Sequence, residues 1–258
     1  MMTRQPNTTH EVVGDTRAGF LRKTGLGGAA LVGGGILLAR PGAAFAGDSD
    51  AIPDVDILNF ALTLEYLEAT FYTQALGGGG TTGVPSSSAM FSEEAITGSN
   101  IFAGFGGRIR SRAYDYLTDI RDHEIIHVEF LVGAVGANGG IAVGPCKFDF
   151  SAALGSVGSF IETAQLLENT GVMAYDGAIR YVDDGDNLQA GAQIATVEAR
   201  HAAYLNLINR DSPFPPTAFD DGMKPSEIIE AVLGTGFVVK DSCPEVLALL
   251  AKFEANGA

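Results

Sequence analysis

The chain has no tryptophan, two cysteines, four histidines and few cations, with 16 lysines and arginines against 31 aspartates and glutamates and a formal net charge of −15. Each shortage excludes something. An acidic field of this size repels nucleic acid and anionic membrane surfaces, so neither is an expected partner. Two cysteines rule out a closed four-sulfur zinc site. An even pair permits one disulfide, Cys146 with Cys243, although sequence alone does not show that they meet. The apolar run at residues 25–39 is too short and too diluted by glycine to be a convincing membrane span.

That run belongs instead to an N-terminal pattern. Arg17, Arg22 and Lys23 precede it, and Ala44-Phe45-Ala46 fits a small-residue cleavage site before Gly47, so residues 1–46 read as an export signal. An uncleaved membrane-anchored helix is the alternative. Thr16-Arg17-Ala18-Gly19-Phe20-Leu21-Arg22 resembles a twin-arginine signal, with Ala18 where the second arginine would stand. Twin-arginine export is placed ahead of the general secretory route because the rest of the motif is present. Removing residues 1–46 leaves 11 basic and 29 acidic residues, a net of −18, which favours solubility and attracts metal cations. The expected destination is the periplasm, the cell envelope or the exterior, with no stable membrane insertion once the signal is cut. The remaining chain, about 210 residues, suits one domain with its own core.

The histidines carry the chemistry. In Val197-Glu198-Ala199-Arg200-His201 a glutamate lies three residues before a histidine, and Glu124 stands in the same relation to His127. On a helix that spacing places both side chains on one face, where they reach a common metal. Two further glutamates, Glu65 and Glu168, are each followed seven residues later by a tyrosine, Tyr72 and Tyr175. Seven residues is close to two turns, so each tyrosine shares its glutamate's face. Glu, Glu-x-x-His, Glu, Glu-x-x-His is the ligand order of dinuclear carboxylate proteins built on four-helix bundles.

Several readings stay open. Glu68, one turn beyond Glu65, competes with it as a ligand, with Glu65 favoured by its Tyr72 spacing. Tyr72 and Tyr175 are read as packed phenols with one hydrogen bond rather than redox groups. His123, turned about 100° from Glu124, reads as a polar helix residue. Gln165 reads as a helix-face amide, with a supporting role behind the ligands as its alternative. Arg200 and Glu129 are placed on outer faces or in ion pairs.

The expected fold is all-α: a four-helix bundle with one long crossover and a short helical tail. A first helix opens at Ile52-Pro53-Asp54 and stops at the glycines of residues 77–80. After a Gly/Ser/Thr-rich excursion, with a short helix at about residues 92–97, a second helix covers about residues 108–137, its inward face carrying Tyr116, Ile120, Glu124, His127 and Leu131. Residues 138–156 return along the bundle. A third helix at about 157–182 and a fourth at about 188–208 follow, joined by a tight Asp/Gly turn. The four glutamates then sit roughly 15 to 24 Å from the same end, at 1.5 Å per residue, so they form one layer. The expected units are residues 1–46 as signal, 47–211 as bundle and 212–258 as a helical extension packed on it, with prolines 225 and 244 in the first turns of its helices.

The segments Asp56 to Glu68, His127 and Val197 to Ala203 resemble the ferritin-like superfamily, and within it exported bacterial proteins related to plant desiccation-related proteins. The resemblance covers about residues 54–208. It implies a ligand set of Glu65, Glu124, His127, Glu168, Glu198 and His201, with Glu124 and Glu198 bridging two ions and each histidine capping one. It implies iron or manganese, which hard carboxylate donors with two imidazoles suit better than copper. It further implies peroxidase, catalase, ferroxidase or oxygenase chemistry on peroxide or dioxygen in stress protection. The alternative is a weakly metal-binding or metal-free structural protein of desiccation stress. Ferritin-like bundles commonly pair, so a homodimer is one option with the oligomeric state left open, and cage-forming storage is disfavoured by the excursion and the tail.

Overall fold

A computed structural model describes residues 52–258. The export signal expected at residues 1–46 lies outside the described residues. Four long helices form the body: α1 (Asp54–Leu76), α4 (Ala113–Ala137), α5 (Val157–Ala178) and α6 (Gly185–Ile208). Two short helices, α2 (Glu93–Gly98) and α3 (Gly107–Ser111), lie in the excursion, and α7 (Pro225–Gly234) and α8 (Pro244–Asn256) form the tail.

Local chemistry sets the ends. Ser92 accepts from Ala95 N and starts α2, a Ser156/Ser159 capping box starts α5, and Asp184 accepts from Asp186 N and Asn187 N at the head of α6. The helix expected without a break from about residue 108 is stepped at Arg112, between α3 and α4. There Ser111 Oγ donates back to Gly107 O at 3.0 Å, a contact that bends helices.

Side-chain contacts give the directions. Along α1 the partners on α4 and its flanks run backwards, from Asn59 with Ile141, through Glu65 with His127, to Gly77 with Arg121, so α1 and α4 are antiparallel. Tyr72 with Glu168 and Glu65 with Tyr175 make α5 antiparallel to α1 as well. Helices α4 and α5 therefore run parallel, and the chain between them must return the length of the bundle. Asn59 pins that crossover from inside, donating to Ile141 O and accepting from Val143 N. Asp54 ties the other corner, accepting from Asp183 N, Asp184 N and Asn187 Nδ2 in the α5–α6 turn.

Helix α1 is buried on nearly every side, as a helix apolar all round must be. Three bundle partners do not suffice for this, and the tail supplies a fourth cover. Phe253 on α8 meets Phe60 edge to face at 5.8 Å, and Lys252 reaches Asp56 at 2.7 Å. Gly177 on α5 lies so close to the Met223 backbone that any Cβ would clash, which seats the tail against the bundle. Cys146 in the crossover and Cys243 before α8 form a disulfide, closing the pair that the sequence only permitted. Among the described residues no helix is long and apolar enough to cross a membrane.

Candidate metal centre

Each long helix brings acid into the bundle axis at the same level. Glu65, Glu124, Glu168 and Glu198 are 0 % exposed, and His127 and His201 are buried with them. Two groups of donors result: Glu65, Glu124, His127 and Glu198, then Glu124, Glu168, Glu198 and His201. Within each, one donor atom from every residue lies within 4.8 Å of the others. All six side chains expected from the sequence fall in these groups, and Glu124 and Glu198 belong to both.

The hydrogen-bond geometry within the centre is overcommitted. His127 Nδ1 lies 3.2 Å from Glu65 Oε2, 3.1 Å from Glu124 Oε2 and 3.2 Å from Glu198 Oε1. His201 Nδ1 lies 3.0 Å from Glu124 Oε1, 3.1 Å from Glu168 Oε2 and 3.9 Å from Glu198 Oε2. One ring nitrogen carries one proton and cannot aim it at three oxygens. Accordingly, Glu124 Oε1 and both oxygens of Glu198 are buried without a hydrogen bond. Leaving such oxygens unpaired in a dry interior is costly. A divalent cation in place of each Nδ1 proton would face all of them, and four carboxylates balance two such cations in charge. The donor set, hard oxygens with two imidazoles, could hold a metal ion.

Titration follows from the same crowding. Burial drives the Glu198 carboxyl well above its usual range, and the charges of Glu124 and Glu168 add to it. Burial, then Glu168, raises Glu124 to about 7. For His201, burial works against protonation, but the Glu168 charge and the closeness of the Glu124 and Glu168 carboxylates outweigh it, raising it to about 11. His127 rises further, burial again opposed, by the Glu65 charge and by Glu124 and Glu198. Burial also opposes ionisation of Glu65, but the adjacent His127 overrides it and the pKa is lowered. Without metal, two imidazolium groups thus neutralise part of the acid.

The tyrosines are arranged in a cross. Tyr72 shares a helix with Glu65 but donates to Glu168 Oε1 at 2.6 Å, while Tyr175 shares a helix with Glu168 but donates to Glu65 Oε1 at 2.5 Å. Each lone glutamate is therefore held by the tyrosine of the opposite helix, and both phenols are pushed well above their usual pKa by burial and by those carboxylates. Glu68 is also buried, but it joins neither donor group. Burial and the Glu198 charge lift its pKa well above normal. A Cβ on Gly171 would come within 3.2 Å of Glu198 Oε2 and 3.3 Å of Glu68 Oε1, so glycine leaves these two carboxyls their space.

Other side chains read from the sequence fall differently. Tyr116 is only half-buried and meets Tyr204 edge to face at 5.6 Å, while Leu117 takes the inward place. Gln165 is buried and clamps Asn206 and Asp211 at 2.8 Å each, joining α5 to the end of α6 away from the ligands. Glu129 is exposed and accepts from Thr81, and Arg200 is exposed. His123 is more than a polar surface residue: although exposed, its ring meets that of His201 edge to edge and nearly coplanar, with centroids 5.2 Å apart, planes 12° apart and Nδ1 2.9 Å from His201 Nε2. Burial and the neighbouring His201 charge lower its pKa. Helix rotation of 100° does place it off the Glu124 face, but that side of α4 abuts α6. The signal was its position next to a ligand, one residue before Glu124.

An apolar cavity of about 30 Å³ lies on the α5–α6 turn side of this layer, between Leu64, Phe130, Leu131, Ile194 and the ring of Tyr175.

The pattern of the ferritin-like domain matches residues 53–210. Comparison with curated proteins gives no match.

Proposed function

The chain belongs to the family of ferritin-like domains, and from that premise we propose that it holds a dinuclear iron or manganese centre and acts as an oxidoreductase on peroxide or dioxygen in stress protection. Two ions sharing carboxylates supply the two electrons that such oxidants take up. The observation that carries the reading is the sharing of Glu124 and Glu198 by both donor groups, with buried oxygens that no hydrogen bond satisfies.

In this reading Glu124 and Glu198, which belong to both donor groups, would hold both ions, His127 and His201 would each serve one, and Glu65 and Glu168 would complete the two halves. Tyr72 and Tyr175 fix the lone glutamates through their hydroxyls. The apolar cavity beside Tyr175 suits a small oxidant and excludes bulky substrates. Export belongs to the same proposal, supported by the N-terminal pattern and by a disulfide, which suits a non-reducing compartment. A homodimer and a desiccation-related role are carried by resemblance alone.

A second reading, a ferritin-like structural protein without bound metal, draws on one observation. Protonated His127 and His201 neutralise part of the buried acid by themselves. Metal analysis of protein purified without a tag separates the two: about two iron or manganese ions per chain support the first. No metal after anaerobic iron loading supports the second. Peroxide consumption then distinguishes catalase-like turnover from oxidation of added ferrous iron.

A further inference from the structure

The two halves of the centre share a plan but differ behind their histidines. His201 presents Nδ1 to Glu124 and Glu168, and its other nitrogen, Nε2, lies 2.9 Å from His123 Nδ1. His127 presents Nδ1 likewise to Glu65, Glu124 and Glu198, but the residue before Glu198, in the place corresponding to His123, is Val197. Among the described residues no side-chain or backbone hydrogen bond reaches His127 Nε2.

Which nitrogen of a histidine takes a metal is decided by what the other one does. A metal at His201 Nδ1 leaves the ring's proton on Nε2, and that proton needs an acceptor. His123 offers the lone pair of Nδ1 at hydrogen-bond distance, while its own proton sits on Nε2. With the two rings within 12° of parallel and meeting edge to edge, the Nε2–H of His201 lies close to the plane of the His123 ring and is directed at its Nδ1. Among the described residues His123 Nδ1 is the one hydrogen-bond partner of His201 Nε2.

We propose that His123 is a positioning residue for one half of the centre. By accepting the Nε2 proton of His201, it holds that ring with Nδ1 inward, so that the His201 half binds metal more tightly than the His127 half. The inference rests on the two-metal reading above. It assigns a role to an exposed side chain that contacts no ligand oxygen, and it makes two otherwise similar half-sites unequal.

The test is titration of the metal-free full chain with Mn(II), following the free aqueous ion by electron paramagnetic resonance, with circular dichroism to check the fold. Wild-type protein should show two sites of different affinity. H123F keeps an aromatic ring but no acceptor, and should weaken the tighter site by about 10–100-fold, the usual effect of losing a histidine's supporting partner. H123N, whose amide oxygen accepts, should recover most of that loss. Anomalous diffraction from Mn(II)-soaked crystals of H123F should show reduced occupancy beside His201 and unchanged occupancy beside His127. An isotherm for H123F equal to wild type, equal loss in H123N and H123F, or loss beside His127 would each overturn the proposal. If wild type itself binds no Mn(II) or Fe(II), the two-metal reading fails first, a distinguishable result.

Discussion

Each half of the bundle interior holds a lone glutamate, a Glu-x-x-His pair and a tyrosine, yet the halves diverge one step outward. On the His201 side an exposed imidazole lies 2.9 Å from the buried one, whereas on the His127 side the matching position is an aliphatic residue. Ligand positions inside a bundle follow from helical periodicity, which two similar helix pairs repeat. Support for those ligands depends on which neighbouring helix lies beside them, and that differs between the pairs. The comparison shows duplicated first contacts and unduplicated surroundings.

The largest effect should come from residues that erase the distinction. E124Q or E198Q removes the charge of a carboxylate common to both donor groups, so metal binding should fall in both halves, by more than about a hundredfold, beyond the 10–100-fold typical of supporting groups. E65Q and E168Q should each weaken one half only. Metal titration followed by elemental analysis checks this, and equal damage from all four variants would break the division into halves.

A smaller effect sharpens the comparison through the crossed tyrosines. Y175F should loosen the His127 half by freeing Glu65, and Y72F the His201 half by freeing Glu168, each opposite to what its own helix suggests. Each leaves a buried carboxylate oxygen short of a donor, costing about 1–3 kcal/mol in denaturant unfolding of the metal-free protein.

The smallest and most graded effect is with pH. Glu124 rises from 4.5 to about 7 and His201 from 6.5 to about 11 in the folded chain. A raised pKa contributes stability that is fully present below the unfolded value and lost as pH climbs through the folded one. The metal-free protein should therefore lose thermal stability as pH rises from about 5 toward 9, first through Glu124 and then through His201. Metal must displace these protons, so its affinity should rise over the same interval and the loaded protein should lose less stability or gain it. Melting curves of both forms across this range check the opposite trends. A flat metal-free profile would contradict the charge arrangement.

Much of the architecture was legible because it rests on periodicity and punctuation. Pro53, Ser92, Pro225 and Pro244 mark helix starts that the structure has, whereas residues 185–187, read as part of a turn, already belong to α6. Glu65, Glu124, His127, Glu168, Glu198 and His201 converge because face and depth are both fixed by residue counts along a helix. What escaped depends on relations between helices. The seven-residue spacing put Tyr72 and Tyr175 on the right face but said nothing of which helix lay opposite. His123 is off the axial face, and a division into inward and outward faces missed the side on which neighbouring helices touch. The disulfide joins residues 97 apart, through a crossover whose path no local pattern sets. The step at Arg112 lacks proline or glycine, the usual marks of a break.

The central claim is that two cations take the places of the two Nδ1 protons. Anomalous diffraction at the iron and manganese edges, on crystals of the natively purified full chain, tests it most directly. Two separate peaks should stand between the four glutamates, one against His127 Nδ1 and one against His201 Nδ1, with Glu124 and Glu198 reaching both. A single peak, or none after anaerobic loading with iron, would contradict it.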